Sequence, residues 1–178
     1  MKPEFDREKF KAVVHYLCRH AGDDFGKIKL HKALYFADML HFIDKGQPLT
    51  GVDYIKQKFG PTAQHLTWGL DELASDGAIR VSQENYFGLP KYAFHTLREP
   101  STNRLSDEDR ALLDEVLRFV GDYSATAISE LSHNEAWHAF EIGAVIPYET
   151  AYWLVPTEIT DDDMVWAAAQ MREHAHAG

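Results

Sequence analysis

The sequence predicts a single, mainly α domain carrying a small two-stranded antiparallel β-hairpin. Three observations predict it. Apolar residues recur at spacings of three and four through most of the chain. Alternation of apolar and polar residues is confined to two neighbouring stretches, 79–83 and 92–97. Ser, Asp, Gly and Pro stand where the helices so defined would start and stop. The 178 residues, 45% hydrophobic and 26% charged, suit one globular domain, 1–178, long enough to bury a real core.

Asp6 can cap a first helix whose apolar positions Phe10, Val13, Val14, Leu17 and Cys18 share one face, ending near residues 21–22. From 27 to 45 the apolar residues Ile28, Leu30, Ala33, Leu34, Tyr35, Phe36, Ala37, Met39, Leu40, Phe42 and Ile43 cover almost the whole circumference. That helix is expected at the centre, stopped by Gly46 and Pro48. Between 47 and 61, Pro48, Gly51, Gly60 and Pro61 frame a segment that reads equally as a short helical or an extended piece. Residues 62–76 predict a third helix with Leu66, Leu70 and Leu73 on one face, Trp68 on another, and Gly77 beyond its end.

The alternating stretches 79–83 and 92–97 predict the hairpin, with 84–90 as its connection. After a polar linker at 99–103, Ser106 opens a helix with Asp107, Glu108 and Asp109 at its N-terminal dipole and Leu112, Leu113, Val116, Leu117 and Val120 inward, closing at Gly121. Ser124 caps the next, with Ala127, Ile128 and Leu131 inward, followed by a turn and an aromatic segment at 137–140. Thr160 caps a last helix, about 160–175, through Met164, Val165, Ala168 and Met171.

The net charge of −10 is unevenly spread: residues 100–178 hold four basic and fifteen acidic side chains, residues 27–58 six basic and three acidic. Nucleic-acid binding, which depends on neutralising phosphates, would have only a small patch to use and is not expected. The acidic start and the lack of any run near 20 apolar residues predict neither a secretory signal nor a membrane helix, hence a cytoplasmic location. Cys18 is the only cysteine, which excludes an internal disulfide and a thiolate zinc cluster.

The ten histidines are badly spaced for a metal. His15 and His20, like His133 and His138, are five apart, about 140° around a helix at roughly 100° per residue. No metal or cofactor is expected. Lys32, Tyr35 and Asp38, near His31, could form a proton-transfer cluster. Buried polar groups on a central helix more often bond to loops, and that reading is preferred. No nucleophile elbow, phosphate-cradling loop or dinucleotide fingerprint is present, so no enzyme class is supported. A helix followed by a hairpin invites a winged-helix reading. Its recognition helix, however, would offer Gln64, His65, Trp68, Asp71 and Glu72 without one Lys or Arg.

The run Lys29-Leu30-His31-Lys32-Ala33-Leu34-Tyr35-Phe36-Ala37-Asp38, followed by Pro48-Leu49-Thr50-Gly51 and by Lys58-Phe59-Gly60-Pro61, resembles the Panacea antitoxin domain family, formerly a phage-associated domain of unknown function. Leu131-Ser132-His133 with Trp137 is similar to the family's C-terminal Leu-Ser-x-x-His and Trp pattern in shortened form. The resemblance spans about residues 8–155. His31 and Ala33 stand where the family usually has Gln and Leu. By this resemblance the motif residues, structural or binding, are Lys29, Leu30, Lys32, Leu34, Tyr35, Phe36, Ala37, Asp38, Gly60, Pro61, His133 and Trp137.

The resemblance implies an antitoxin that neutralises a cognate toxin, encoded by the neighbouring gene, through direct protein–protein binding and without catalysis. Some members resemble proteolytic adaptors that hand a bound toxin to an ATP-dependent protease. Others carry a helix-turn-helix domain, which is not expected here because the first helix is expected to begin already at about Arg7. An adaptor, a winged-helix-like regulator, and a hydrolase using Tyr35, Asp38 and a histidine are the alternatives. Aromatic anchors dominate interfaces, which makes Tyr54, Phe59, Trp68 and Trp153 the candidate partner contacts. The acidic C-terminal part could complement a basic toxin and steer its association.

Overall fold

The long apolar helix expected at the centre organises everything else. In the computed structural model, which describes residues 3–86 and 88–154, α2 (Lys27–Lys45) buries Leu30, Ala33, Leu34, Tyr35, Ala37 and Met39. Gly46 ends it at a φ of 70°, directing its N–H to the Phe42 carbonyl, a conformation a side chain would strain. α1 (Arg7–His20) packs on α2 and α3 (Leu66–Ser75), buries Phe10, Val13, Val14 and Leu17, and is capped by Asp6, which accepts from the Lys9 N–H. Cys18 is buried on the same face. Burial pushes its thiol up to about 12, so it packs as an apolar group.

The segment left open between helical and extended is extended. β1 (Tyr54–Gln57) and β2 (Gly60–Ala63) form an antiparallel hairpin, and β5 (Val145–Ile146) joins the other edge of β1 to give the order β2-β1-β5. This corrects the third helix. α3 (Leu66–Ser75) starts at Leu66 and not at Thr62, because Thr62 and Ala63 pair with Ile55 and Tyr54 in the sheet.

The second hairpin is longer than its alternation suggests. β3 (Ile79–Tyr86) and β4 (Leu89–Thr96) pair along their full lengths, so most of the expected connection at 84–90 is strand. The turn is tight because the Asn85 side chain accepts from the Gly88 N–H at 2.7 Å and Gly88 sits at a φ of 81°. The base of the hairpin packs on α1 and α3 and covers one end of the helical core, with Ile79 fully buried.

α4 (Asp107–Gly121) opens with a capping box between Ser106 and Asp109 and buries Leu113, Val116, Leu117 and Val120, packing against α2. α5 (Ala125–Leu131) is capped by Ser124. The aromatic segment is a short helix, α6 (Glu135–His138), whose cap residue Asn134 accepts from the Trp137 N–H. β5 and a 3-10 helix (Tyr148–Leu154) then bring the chain back to α2, where Tyr148 and Tyr152 pack on Phe42. Two residues of strand and seven of 3-10 helix are too short to announce themselves by periodicity. The helix expected at 160–175 lies outside the described residues.

Candidate functional site

The outer edge of β2 has no third strand; two side chains of α2 take its place. The Gln64 N–H bonds the Asp53 carbonyl, so in this antiparallel register the Ala63 N–H and the Pro61 carbonyl face away from β1. His31 Nδ1 accepts the Ala63 N–H at 3.1 Å, and Lys32 Nζ donates to the Pro61 carbonyl at 3.0 Å. Lys32 is 2% exposed, and burial lowers its ammonium to about 7. Burial, followed by the charges of Lys32 and Lys27, holds His31 down to about 3. The imidazole is therefore neutral at ordinary pH, with Nδ1 free to accept.

Gly60 is a glycine because of what stands beside it. Its φ is 96°, and a Cβ there would collide with Ser132 Oγ and sit 2.6 Å from Lys32 Nζ. Ser132 donates to the Ser129 carbonyl at 2.6 Å, and Ser129 in turn donates to the Phe59 carbonyl at 3.1 Å. Three blocks separated in sequence, those of Lys32, of Gly60-Pro61 and of Leu131-Ser132-His133, thus meet at one buried point.

A second junction lies further along α2. The buried Asp38 carboxylate accepts the Thr50 N–H, the Thr50 hydroxyl and the Tyr54 hydroxyl, each at 2.6 Å. Burial raises its pKa on balance, although the three donors, each giving a hydrogen bond that a carboxylate oxygen accepts, pull against that rise. Tyr148 adds a bond from its hydroxyl to the Val52 carbonyl at 2.6 Å. Tyr54 is consequently in the core and not on a partner-binding surface, which corrects its place among the candidates: its hydroxyl is spent on Asp38 and its ring packs edge-on to Tyr35.

Between the two junctions, the Tyr35 hydroxyl accepts from Asn134 Nδ2 at 3.3 Å. Lys32, Tyr35 and Asp38 therefore each tie α2 to a different segment. Leu30, Leu34 and Ala37 fill the core, Phe36 packs edge-on to Phe119 with ring centroids 5.4 Å apart, and Lys29 Nζ reaches Asp24 at 3.3 Å. The bonds of Thr50, Ser129, Ser132 and Asn134 were not legible from spacing, although Thr50 and Ser132 fall inside motif blocks.

The same wiring fixes a surface. Phe59, at the turn between β1 and β2, is 61% exposed, with its carbonyl held by Ser129. Beside the hairpin, Trp137 Nε1 donates to the Gln57 carbonyl at 3.0 Å, and Lys56 Nζ stands 4.1 Å over the Trp137 ring while bonding the Phe140 carbonyl. His133 stacks on Trp137 at 4.1 Å. The two do not share a helical face, since His133 lies in the break between α5 and α6 and Trp137 lies in α6. Of the remaining partner candidates, Trp153 is exposed and Trp68 is half-buried beneath the Arg7 guanidinium, 4.4 Å from its ring.

The outward residues of α3 include Thr67, Asp71 and Glu72, which offer phosphates no cation. Among the described residues no three His, Cys, Asp or Glu side chains are grouped to hold a metal, and no helix is long and apolar enough to cross a membrane. No curated protein and no solved structure matches the chain. A family model described as antitoxin SocA-like, Panacea domain, matches residues 30–138.

Proposed function

The chain belongs to the SocA-like antitoxin family defined by the Panacea domain, and from that premise we propose that it is the antitoxin of a toxin–antitoxin pair, neutralising its toxin by direct binding. The observation that carries the binding surface is Phe59. A large apolar side chain is held in solvent by a turn whose flanking backbone is pinned by Lys32, His31 and Ser129. Such an anchor loses little freedom when a partner covers it, which is the property of an interface hot spot. Trp137, His133 and Lys58 flank it with rings and positive charge.

The motif residues divide accordingly. Those of α2 and Gly60 hold the scaffold, while Phe59 and its neighbours meet the toxin. Asp107, Glu108, Asp114 and Glu115 put acid on α4, which would speed association with a basic toxin in a salt-dependent way. Catalysis has no part in this reading.

The test is co-expression with the product of the neighbouring gene. That product should arrest growth alone, be tolerated beside this chain, and co-purify with it. Phe59→Ala should weaken the complex at least about tenfold with an unchanged denaturation midpoint. Neutralisation without a complex, or an unaltered complex with Phe59→Ala, would overturn the proposal.

A further inference from the structure

We infer that the outer edge of β3 pairs antiparallel with the same edge of a second copy of this chain, joining two hairpins into one four-stranded sheet. The inference is independent of the antitoxin reading. The Leu97 N–H bonds the Ala78 carbonyl one step before the strands begin. Because hydrogen-bonded and non-hydrogen-bonded pairs alternate, Arg80, Ser82 and Glu84 turn their backbone groups towards β4, while Ile79, Val81, Gln83 and Asn85 turn theirs outward. Pro90 agrees with this register, since it lies opposite Asn85 where no N–H is needed.

The two hairpins treat their edges differently. The outward groups of β2 are met by His31 and Lys32. Those of Val81 and Gln83 have no protein partner among the described residues, and the sheet ends at β3. Exposed edges are usually guarded by proline, lysine or a bulge. β4 carries Pro90 and Lys91, whereas β3 carries neither and keeps an unbroken register over its eight residues.

Charge selects the occupant. Two β3 strands running antiparallel with Ser82 opposite Ser82 place Val81 against Gln83 and Ile79 against Asn85 in hydrogen-bonding pairs. The same register sets Arg80 opposite Glu84 of the second copy, twice by symmetry, at non-hydrogen-bonded positions where side chains stand closest. Arg80 and Glu84 are both exposed; among the described residues Arg80 has no ion-pair partner and Glu84 has only His95, at 3.7 Å. Sliding the register by one permitted step either way separates Arg80 from Glu84. The strand is thus self-complementary in one register.

Sedimentation velocity on the full chain tests this. A concentration-dependent dimer is expected, weakened about tenfold or more by Arg80→Glu or by Glu84→Arg, each of which sets like charges opposite one another. An equimolar mixture of these two variants should dimerise more tightly than either alone, because both opposite-charge pairs return; a variant that merely misfolds gives no such recovery. Gln83→Pro, which removes an outward N–H, should abolish the dimer. Ser82→Cys should oxidise to a disulfide-linked dimer, with the buried Cys18 silent. A chain that stays monomeric at all concentrations, or a dimer indifferent to the charge variants and to Gln83→Pro, would overturn the proposal.

Discussion

His31 Nδ1 and the Ala63 N–H are 3.1 Å apart, and through that bond a helix side chain does the work of a missing strand. The family usually has glutamine at this position, and a glutamine carbonyl oxygen accepts from an N–H as an imidazole nitrogen does. His31→Gln should therefore cost less than about 1 kcal/mol, while His31→Leu, which leaves the Ala63 donor unpaired, should cost about 1–3 kcal/mol. Urea denaturation midpoints at pH 7.5 distinguish the two. Equal losses would show that the bond contributes nothing.

The neighbouring Lys32 writes itself into the pH dependence of stability. Its folded pKa is lowered to about 7 by burial, from an ordinary value near 10.5. Between those limits the unfolded chain binds a proton that the folded chain does not, so stability should climb with pH, by up to about 1.4 kcal/mol per unit. His31 behaves alike at lower pH. Its folded pKa of about 3 against 6.5 means that stability drains away as pH falls from 6.5 towards 3. Lys32→Met removes the upper slope alone, so the stability difference between parent and variant should change steadily from pH 7 to 9 when followed by urea titration. A constant difference would mean that the amine titrates normally in the fold.

Gly60→Ala should be among the most damaging single changes, at more than about 2 kcal/mol. It combines a φ of 96° with a Cβ pressed on Ser132 Oγ and Lys32 Nζ, and Ser132 is itself fixed by Ser129. Adding Ser132→Gly should recover part of the loss by clearing one of the two obstacles, which thermal denaturation of the double variant would show. No recovery would place the whole cost in the backbone.

How much of this was legible in the sequence depends on the range of the interaction. α2 could be bounded at Lys27 and Lys45 because its periodicity and its Gly46 stop are local, and the capping box of Ser106 and Asp109 is a four-residue pattern. β1 and β2 are four residues each and owe their stability to β5 and to α2, elements distant in the chain, so no local signal separated strand from helix at 47–61. The same holds for the site. The motif residues were visible as a resemblance, but only the fold shows that Lys32, Gly60 and Ser132 meet, and that Tyr54, which as a lone aromatic could be anchor or core, belongs to Asp38.

Asp38→Asn separates a structural carboxylate from a catalytic one. An amide in place of the carboxylate presents N–H groups to the Thr50 and Tyr54 hydroxyls, which now point their own hydrogens at Asp38 from 2.6 Å. At least one buried hydroxyl must turn away without a partner, at a cost of about 2–4 kcal/mol. Tyr54→Phe removes one of the competing donors. The double variant should therefore lose less than the sum of the two single losses, since the partners form one network. Any loss of toxin neutralisation by Asp38→Asn should track the unfolded fraction and be recovered at a temperature where the variant is folded. A variant as stable as its parent yet inactive would reverse the assignment and put proton chemistry back at this site.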